Sequence, residues 1–284
     1  MKSLSRLLLL GLVLMLPCAL RAEDKSESMQ DRTLRQLVER QKELLAEAAK
    51  HGNNFDADNF KLQLQQVSQG YEALLRENPE YAAGYAAYGY LLWQVGMKRE
   101  AVAHLLKANA LDPDQPLVKN QIGNFLAEEG KPVEAVAYFL AAIRLAPDEP
   151  LYHYQLGTLL HEARDEFIKS GEWTAEGLTH MEHEAFGKAA ALAPDRIEFT
   201  YRYAESFYDL TTPDWDGALK AWSALEEKAP TDVERQTMRL HAANVLIKQG
   251  KADHARVLLG TITVPELLAQ KQKLVAQLPA TAEK

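Results

Sequence analysis

At 284 residues, with 47% hydrophobic and 25% charged side chains, the chain is long enough for one or two ordinary domains with sizeable cores. Its 40 acidic against 32 basic residues give a net charge of −8. With no basic cluster to offset that balance, nucleic acid and anionic lipid are excluded as expected partners. A single cysteine, Cys18, excludes a disulfide within the chain.

The opening stretch 1–22, MKSLSRLLLLGLVLMLPCALRA, carries Lys2 and Arg6, an apolar run from Leu7 to Leu16, then Pro17 and small residues. This is the three-part pattern of a secretory signal peptide, and the run is too short for a bilayer, which needs about 20 residues. Cleavage is expected after Ala22, with export across the inner membrane to the periplasm. A lipoprotein anchored through Cys18 fits poorly, because Pro17 directly precedes it. Removal of the segment takes away Lys2, Arg6 and Arg21 along with Cys18, so the net charge of −8 becomes −11. No later segment is expected to cross a membrane.

Residues 23–80 are expected to form an N-terminal helical cap with a degenerate repeat. The stretch 28–52 is one amphipathic helix, with Leu34, Leu37, Val38, Leu44, Leu45 and Ala48 on one stripe. It could oligomerise as a coiled coil or pack over the first repeat. Barely three heptads and Gln41 on the seam favour packing, with an oligomer through this helix as the alternative. The stretch 55–79 reads as a second helix.

A period then emerges. Prolines recur at 79, 113 and 147 and glycines at 89, 123 and 157, both series at one constant interval, and KANALDPD, AAIRLAPD and KAAALAPD surround them. Two helical patterns within a period of about 34 residues point to a helix–turn–helix stack. The turns VGMKREA, EGKPVEA and QGKADHA each place Gly near a helix end, and Pro132 falls where a first helical turn tolerates it.

The repeat resembles the tetratricopeptide repeat (TPR) family, whose unit reads W-x2-L-G-x2-Y, A-x3-F and P. The first unit gives Tyr85, Tyr88, Gly89, Leu92, Ala101, Leu105 and Pro113; the second gives Lys119, Ile122, Gly123, Leu126, Ala135, Phe139 and Pro147. The third opens with His153, Leu156, Gly157 and Leu160 and closes with Phe186 and Pro194. The fourth gives Thr200, Tyr203, Ala204, Phe207, Ala218, Trp222 and Pro230; the fifth gives Arg239, Ala242, Ala243, Leu246, Ala255 and Leu259. The resemblance implies an all-α, right-handed TPR-type α-solenoid of antiparallel helix pairs with helical end caps. Five units cover 81–262, and a C-terminal capping helix and tail cover 263–284.

Between Gly157 and Ala204 the spacing exceeds the period by thirteen. The insertion, at about 163–181, is expected to lengthen both helices of the third unit, to about 150–169 and 175–192. Its projecting tip would carry Trp173, with Thr174 capping the second helix. Phe167, Ile168, Leu178 and Met181 would pack inside the hairpin.

This insertion is rich in His and acid. HEARD (161–165) and HEAFG (183–187) both begin like the zinc helix motif HExxH, but Asp165 and Gly187 stand where the second His is needed. Antiparallel register places His161 level with about residue 178, with His180 and His183 on the second helix away from the groove. No metal and no cofactor are therefore expected. Solvated helix faces and a His161–Asp165 pair are the plain reading, and the expected consensus Ala is replaced by Glu182. A metal- or small-molecule-binding role for the 161–184 cluster is the minor alternative. No phosphate-binding glycine loop, GxSxG or CxxC occurs, so no catalytic residue is expected.

The resemblance implies a groove lined by repeat positions 2, 5, 9, 12 and 13. These are Tyr90, Trp93 and Gln94; Asn120, Asn124 and Glu128; Tyr154, Thr158, His161 and Glu162; Tyr201, Glu205, Tyr208 and Asp209; and Asn244 and Lys248. Aromatic and amide groups suit capture of a protein or peptide segment. Groove-facing basic residues are scarce, so a neutral or basic segment fits better than a terminal carboxylate. The expected function is a non-catalytic scaffold or adaptor. The alternative is a structural subunit of an envelope or secretion assembly.

Overall fold

The computed structural model describes residues 28–51 and 56–279. The expected signal peptide with Cys18, and the end of the tail, lie outside them. Every regular element among the described residues is helical. The chain divides within its second helix, between Gly70 and Tyr71, into two compact units.

The first unit holds α1 (Met29–His51) and the start of α2 (Ala57–Glu77). Leu37 packs directly over Gly70, and Arg40 donates to Gln66 at 2.8 Å, so the two helices run antiparallel. Gln41, the polar residue on the expected seam, is buried, as is Leu44. Asp56 and Asp58 stand at the start of α2, where the helix dipole favours acids, and the Asp56 carboxylate accepts from the Asn59 N–H at 3.0 Å.

The second unit is a run of helix pairs in chain order. The first pair is α3 (Ala82–Gln94) and α4 (Lys98–Leu111), and the second is α5 (Pro116–Glu128) and α6 (Pro132–Leu145). The third comprises α7 (Pro150–Glu162), α8 (Arg164–Ser170) and α9 (Ala175–Leu192). The fourth is α10 (Ile197–Ser206), a 3-10 turn at Phe207–Asp209 and α11 (Trp215–Lys228), and the fifth is α12 (Asp232–Lys248) and α13 (Ala252–Gly260). A 3-10 turn and the short α14 (Leu268–Val275) close the chain, with Leu267 packed beside Leu240, Leu259 and Ile262. Pro116, Pro132 and Pro150 each sit in a first helical turn, where the missing N–H has no helical partner to lose.

The repeated residues meet as the pattern requires. The small residue of each first helix backs onto a large residue of its own second helix, and those large residues, Leu105, Phe139, Phe186, Trp222 and Leu259, are all essentially buried. One turn earlier on the same second helices, Ala101, Ala135, Ala218 and Ala255 are wholly buried, and Glu182 takes the equivalent place in the third pair. Among the repeat glycines Gly89, Gly123 and Gly157, the tightest approach is at Gly157, where an added Cβ would lie 2.8 Å from two ring carbons of Phe186. A methyl there requires the ring or the helix to shift.

The insertion departs from the expected continuous helix. α7 stops at Glu162, and Ala163 breaks the run with φ −104° and ψ 22°, after which α8 continues in a new direction. The turn brings Phe167 to zero exposure against Ala135, Val136, Leu160 and Leu178, so α8 packs back onto α6. Burying a Phe side chain is worth about 2–3 kcal/mol, more than a broken helical turn costs. Trp173 packs edge-on against Phe167, with ring centroids 5.5 Å apart, rather than projecting. Gly171 ends α8 at φ +76°, and Thr174 caps α9 by accepting from Gly177 N–H at 3.0 Å.

Gly157→Ala is expected to destabilise the chain by about 1–3 kcal/mol through overpacking. Gly260→Ala, with nothing within 4 Å of its would-be Cβ, should be neutral or stabilising by up to about 1 kcal/mol. Urea denaturation of the two variants checks the pair; equal midpoints would show that the Gly157–Phe186 approach does not limit packing.

Candidate functional site

The residues expected to line a groove form graded rows in the second unit. Position 9 of the five pairs holds Tyr90, Asn124, Thr158, Glu205 and Asn244, and all five are half-buried. One turn further on, Gln94, Glu128, Glu162, Asp209 and Lys248 are all exposed. One turn earlier lie Asn120, fully buried, and Tyr154 and Tyr201, half-buried. A spacing of four keeps each set of three on one helix face. The face therefore runs from core to solvent along each first helix.

The hydrogen bonds of the middle row are local. Asn124 donates to Gln121 at 3.4 Å, Thr158 to the Tyr154 carbonyl at 2.9 Å, and Glu205 accepts from Arg202 at 2.8 Å. Glu128 is paired with Lys98, whose ammonium lies over the Trp93 ring. Trp93 is itself buried. Asn120 has neither amide atom hydrogen-bonded within the described residues. An unmade amide pair in the interior costs about 1–3 kcal/mol per group, so this side chain is held there by its surroundings.

The tyrosines do double service. Tyr154 rests on Phe199 of the following pair, centroids 4.6 Å apart, and burial raises its pKa. Tyr201 meets Trp222 edge-on and lies 3.3 Å through its hydroxyl from His241 Nε2. Tyr208 donates to the His241 carbonyl at 3.2 Å, and burial pushes its pKa up to about 12 against the nearby Asn244 and Trp222. His241 lies flat on Trp222, centroids 4.0 Å apart and planes 9° from parallel. These aromatic rings join consecutive pairs, so part of their surface belongs to packing.

His161 behaves differently. Its Nδ1 lies 2.8 Å from Oε1 of Glu182, which is 2% exposed, and Asp165 is not its partner. The hydrogen bond to Glu182 holds the His161 pKa above its ordinary value, against the opposing effect of burial. The side chain of a helical residue leans toward its own N-terminus. His161 therefore leans back toward Gly157 while Glu182 leans toward Leu178, and the two meet across the hairpin. Asp209 reaches the same point from the fourth pair. His180 and His183 stay apart from it: His180 pairs with Glu184 at 3.5 Å, and His183 lies 2.8 Å from the Ser206 hydroxyl. The only sequence signal for this contact was an acid in a column of alanines.

Burial pushes the His241 pKa down to about 4. The unfolded chain binds a proton near pH 6.5 and the folded chain only near 4, so His241 favours folding fully above 6.5 and progressively less as pH falls toward 4. The span is worth up to about 3 kcal/mol. His241→Phe, which keeps a ring on Trp222, should flatten the loss of melting temperature between pH 7 and 4.5; an unchanged slope would exclude His241 as the titrating group.

Comparison with known proteins places this arrangement. The sequence profile described as tetratricopeptide repeat matches residues 82–115 and 118–149, the first two pairs. No curated protein matches the sequence. Among solved structures, YrrB, described as a TPR protein with an unusual peptide-binding site, is 18% identical, covering 73% of this chain and 93% of its own, with TM-score 0.56. The pilF protein of Pseudomonas aeruginosa is 17% identical over 88% of this chain and 100% of its own, with TM-score 0.57. PilW, described as a widely conserved type IV pilus biogenesis factor, is 13% identical with the same coverage and TM-score 0.51. These identities carry the fold alone. The profile match makes the first two pairs tetratricopeptide repeats, and the three pairs that follow continue the same all-α stack with the same small-on-large contacts.

Proposed function

We propose that the chain is a non-catalytic interaction scaffold, acting in the periplasm, that binds a protein or peptide segment along the face of its first helices. The carrying observation is the row at position 9. Tyr90, Asn124, Thr158, Glu205 and Asn244 are half-buried in five successive pairs, flanked throughout by an exposed residue one turn on. Side chains in such a row contribute hydrogen bonds and contact area while losing little freedom, because packing below already holds them. Glu162 and Asp209 lie exposed in the outer row, so the segment is neutral or basic. No helix among the described residues is long and apolar enough to cross a membrane. The periplasmic location rests on the N-terminal sequence.

A second reading, a structural subunit of an envelope assembly, is favoured by one observation. Leu106 and Leu140 occupy the same position of α4 and α6, one repeat apart, and are 46% and 42% exposed. They face away from the first helices' row and would serve docking on the opposite side.

Site-specific photo-crosslinking in cells separates the two. A crosslinker at Thr158 or Glu162 should capture a partner, and one at Leu106 or Leu140 should not. Capture from the leucines alone would replace the groove reading with the assembly one. Charge reversal by Glu162→Lys, on an exposed side chain, should lower the Thr158 crosslinking yield several-fold with no change in melting temperature. An unchanged yield would remove the electrostatic part of the argument.

A further inference from the structure

We propose that His161, Glu182 and Asp209 form a binding site for a borderline divalent cation, with zinc the best match, at the junction of the third and fourth repeats. One ring nitrogen of His161 and one carboxylate oxygen from each acid all lie within 4.8 Å of one another. The three come from different elements: the end of α7, the middle of α9, and the 3-10 turn after α10. Sequence proximity does not produce this convergence; the stacking of the pairs does.

Glu182 is the informative member. Four of the five repeats place a wholly buried Ala at its position, whereas here a carboxylate side chain is withdrawn to 2% exposure. A carboxylate in such a place is retained only with compensating charge or hydrogen bonds. His161 satisfies one oxygen, yet Asp209 brings a second negative group to the same point. Among the described residues Asp209 makes no ion pair with a basic side chain. The Arg202 guanidinium, whose charge is felt at His161, is engaged with Glu205 at 2.8 Å and lies over the Phe186 ring. A divalent cation would neutralise both carboxylates at once.

The donor set selects the ion. One imidazole nitrogen and two carboxylate oxygens suit zinc and its neighbours, whereas magnesium and calcium prefer oxygen alone. Ligands at about 2.0–2.2 Å from zinc lie roughly 3.2–3.6 Å from each other. His161 and Glu182 are already closer than that, and the exposed Asp209 has a turn rather than a helix behind it, so closure needs about an ångström of side-chain movement. Three protein ligands leave a fourth tetrahedral position for water or for a group on a bound partner. The ion would tie α7 and α9 to the turn of the next pair, and so fix the spacing between the third and fourth repeats.

The test uses tag-free chain purified from the compartment where it accumulates, stripped with chelator and titrated with zinc chloride by calorimetry and thermal melting. One zinc per chain is expected, with melting raised by about 5–10 °C at a hundredfold excess over the dissociation constant. Glu182→Ala restores the residue used by the other repeats and should fold; it and Asp209→Asn should each weaken binding at least about tenfold. His180→Ala, which removes the exposed imidazole of α9, should bind as the parent does. Absence of stoichiometric binding at 0.1 mM zinc overturns the proposal, as does undiminished affinity in Glu182→Ala and Asp209→Asn. Loss of binding in His180→Ala would do so as well, by assigning the ion to the exposed His180–Glu184 pair.

Discussion

Everything in the second unit depends on how closely two helices of a pair can approach. A glycine or alanine on the first helix admits a Leu, Phe or Trp from the second, and the large side chain fills the space that the missing one vacates. Phe186 over Gly157 is the tightest case, with no room for one more carbon. Because the same exchange recurs in every pair, the first helices present the same positions at the same depth, and a graded polar face follows. The rows of half-buried and exposed residues are thus a by-product of core packing before they are a binding surface.

The third pair shows what happens when the chain adds residues to such a unit. Thirteen extra positions could have extended a straight hairpin into solvent, leaving Phe167, Leu178 and Trp173 to find cover among themselves. A break at Ala163 instead lays the added turns over the previous pair, where α6 already offers Ala135 and Val136. Arg164 reinforces the fold-back by donating to Thr179 at 2.7 Å, tying α8 to α9. Apolar area decided the direction, and the local backbone followed.

How legible was this in the sequence? The helix pairs, their caps and the buried column of alanines were readable because each appears several times at a fixed spacing, so the pattern averages out individual accidents. Thr174 was readable because capping chemistry is local. The break at Ala163 was not: HEARDEFIKS contains no Gly or Pro and favours a continuous helix. What breaks it is the pull of Phe167 toward another pair, a tertiary effect that no window around residue 163 contains. The His161–Glu182 contact was half-visible, as an acid in the alanine column. Level reckoning of backbones placed His161 one turn away from it, because both side chains lean along their helices toward each other. Asp209 appeared only as one of the face residues, and its convergence on the same point needs the stack.

A repeat stack behaves as a chain of links, each held to its neighbours and to nothing more distant, so it comes apart where one link is weakest. Most boundaries here are carried by a single second helix against the following first helix. Between the second and third pairs, α8 adds another helix to that boundary by lying on α6. That extra contact gives this one link a second helix, so opening that reaches it from either end must part both α7 and α8 from α6 to pass.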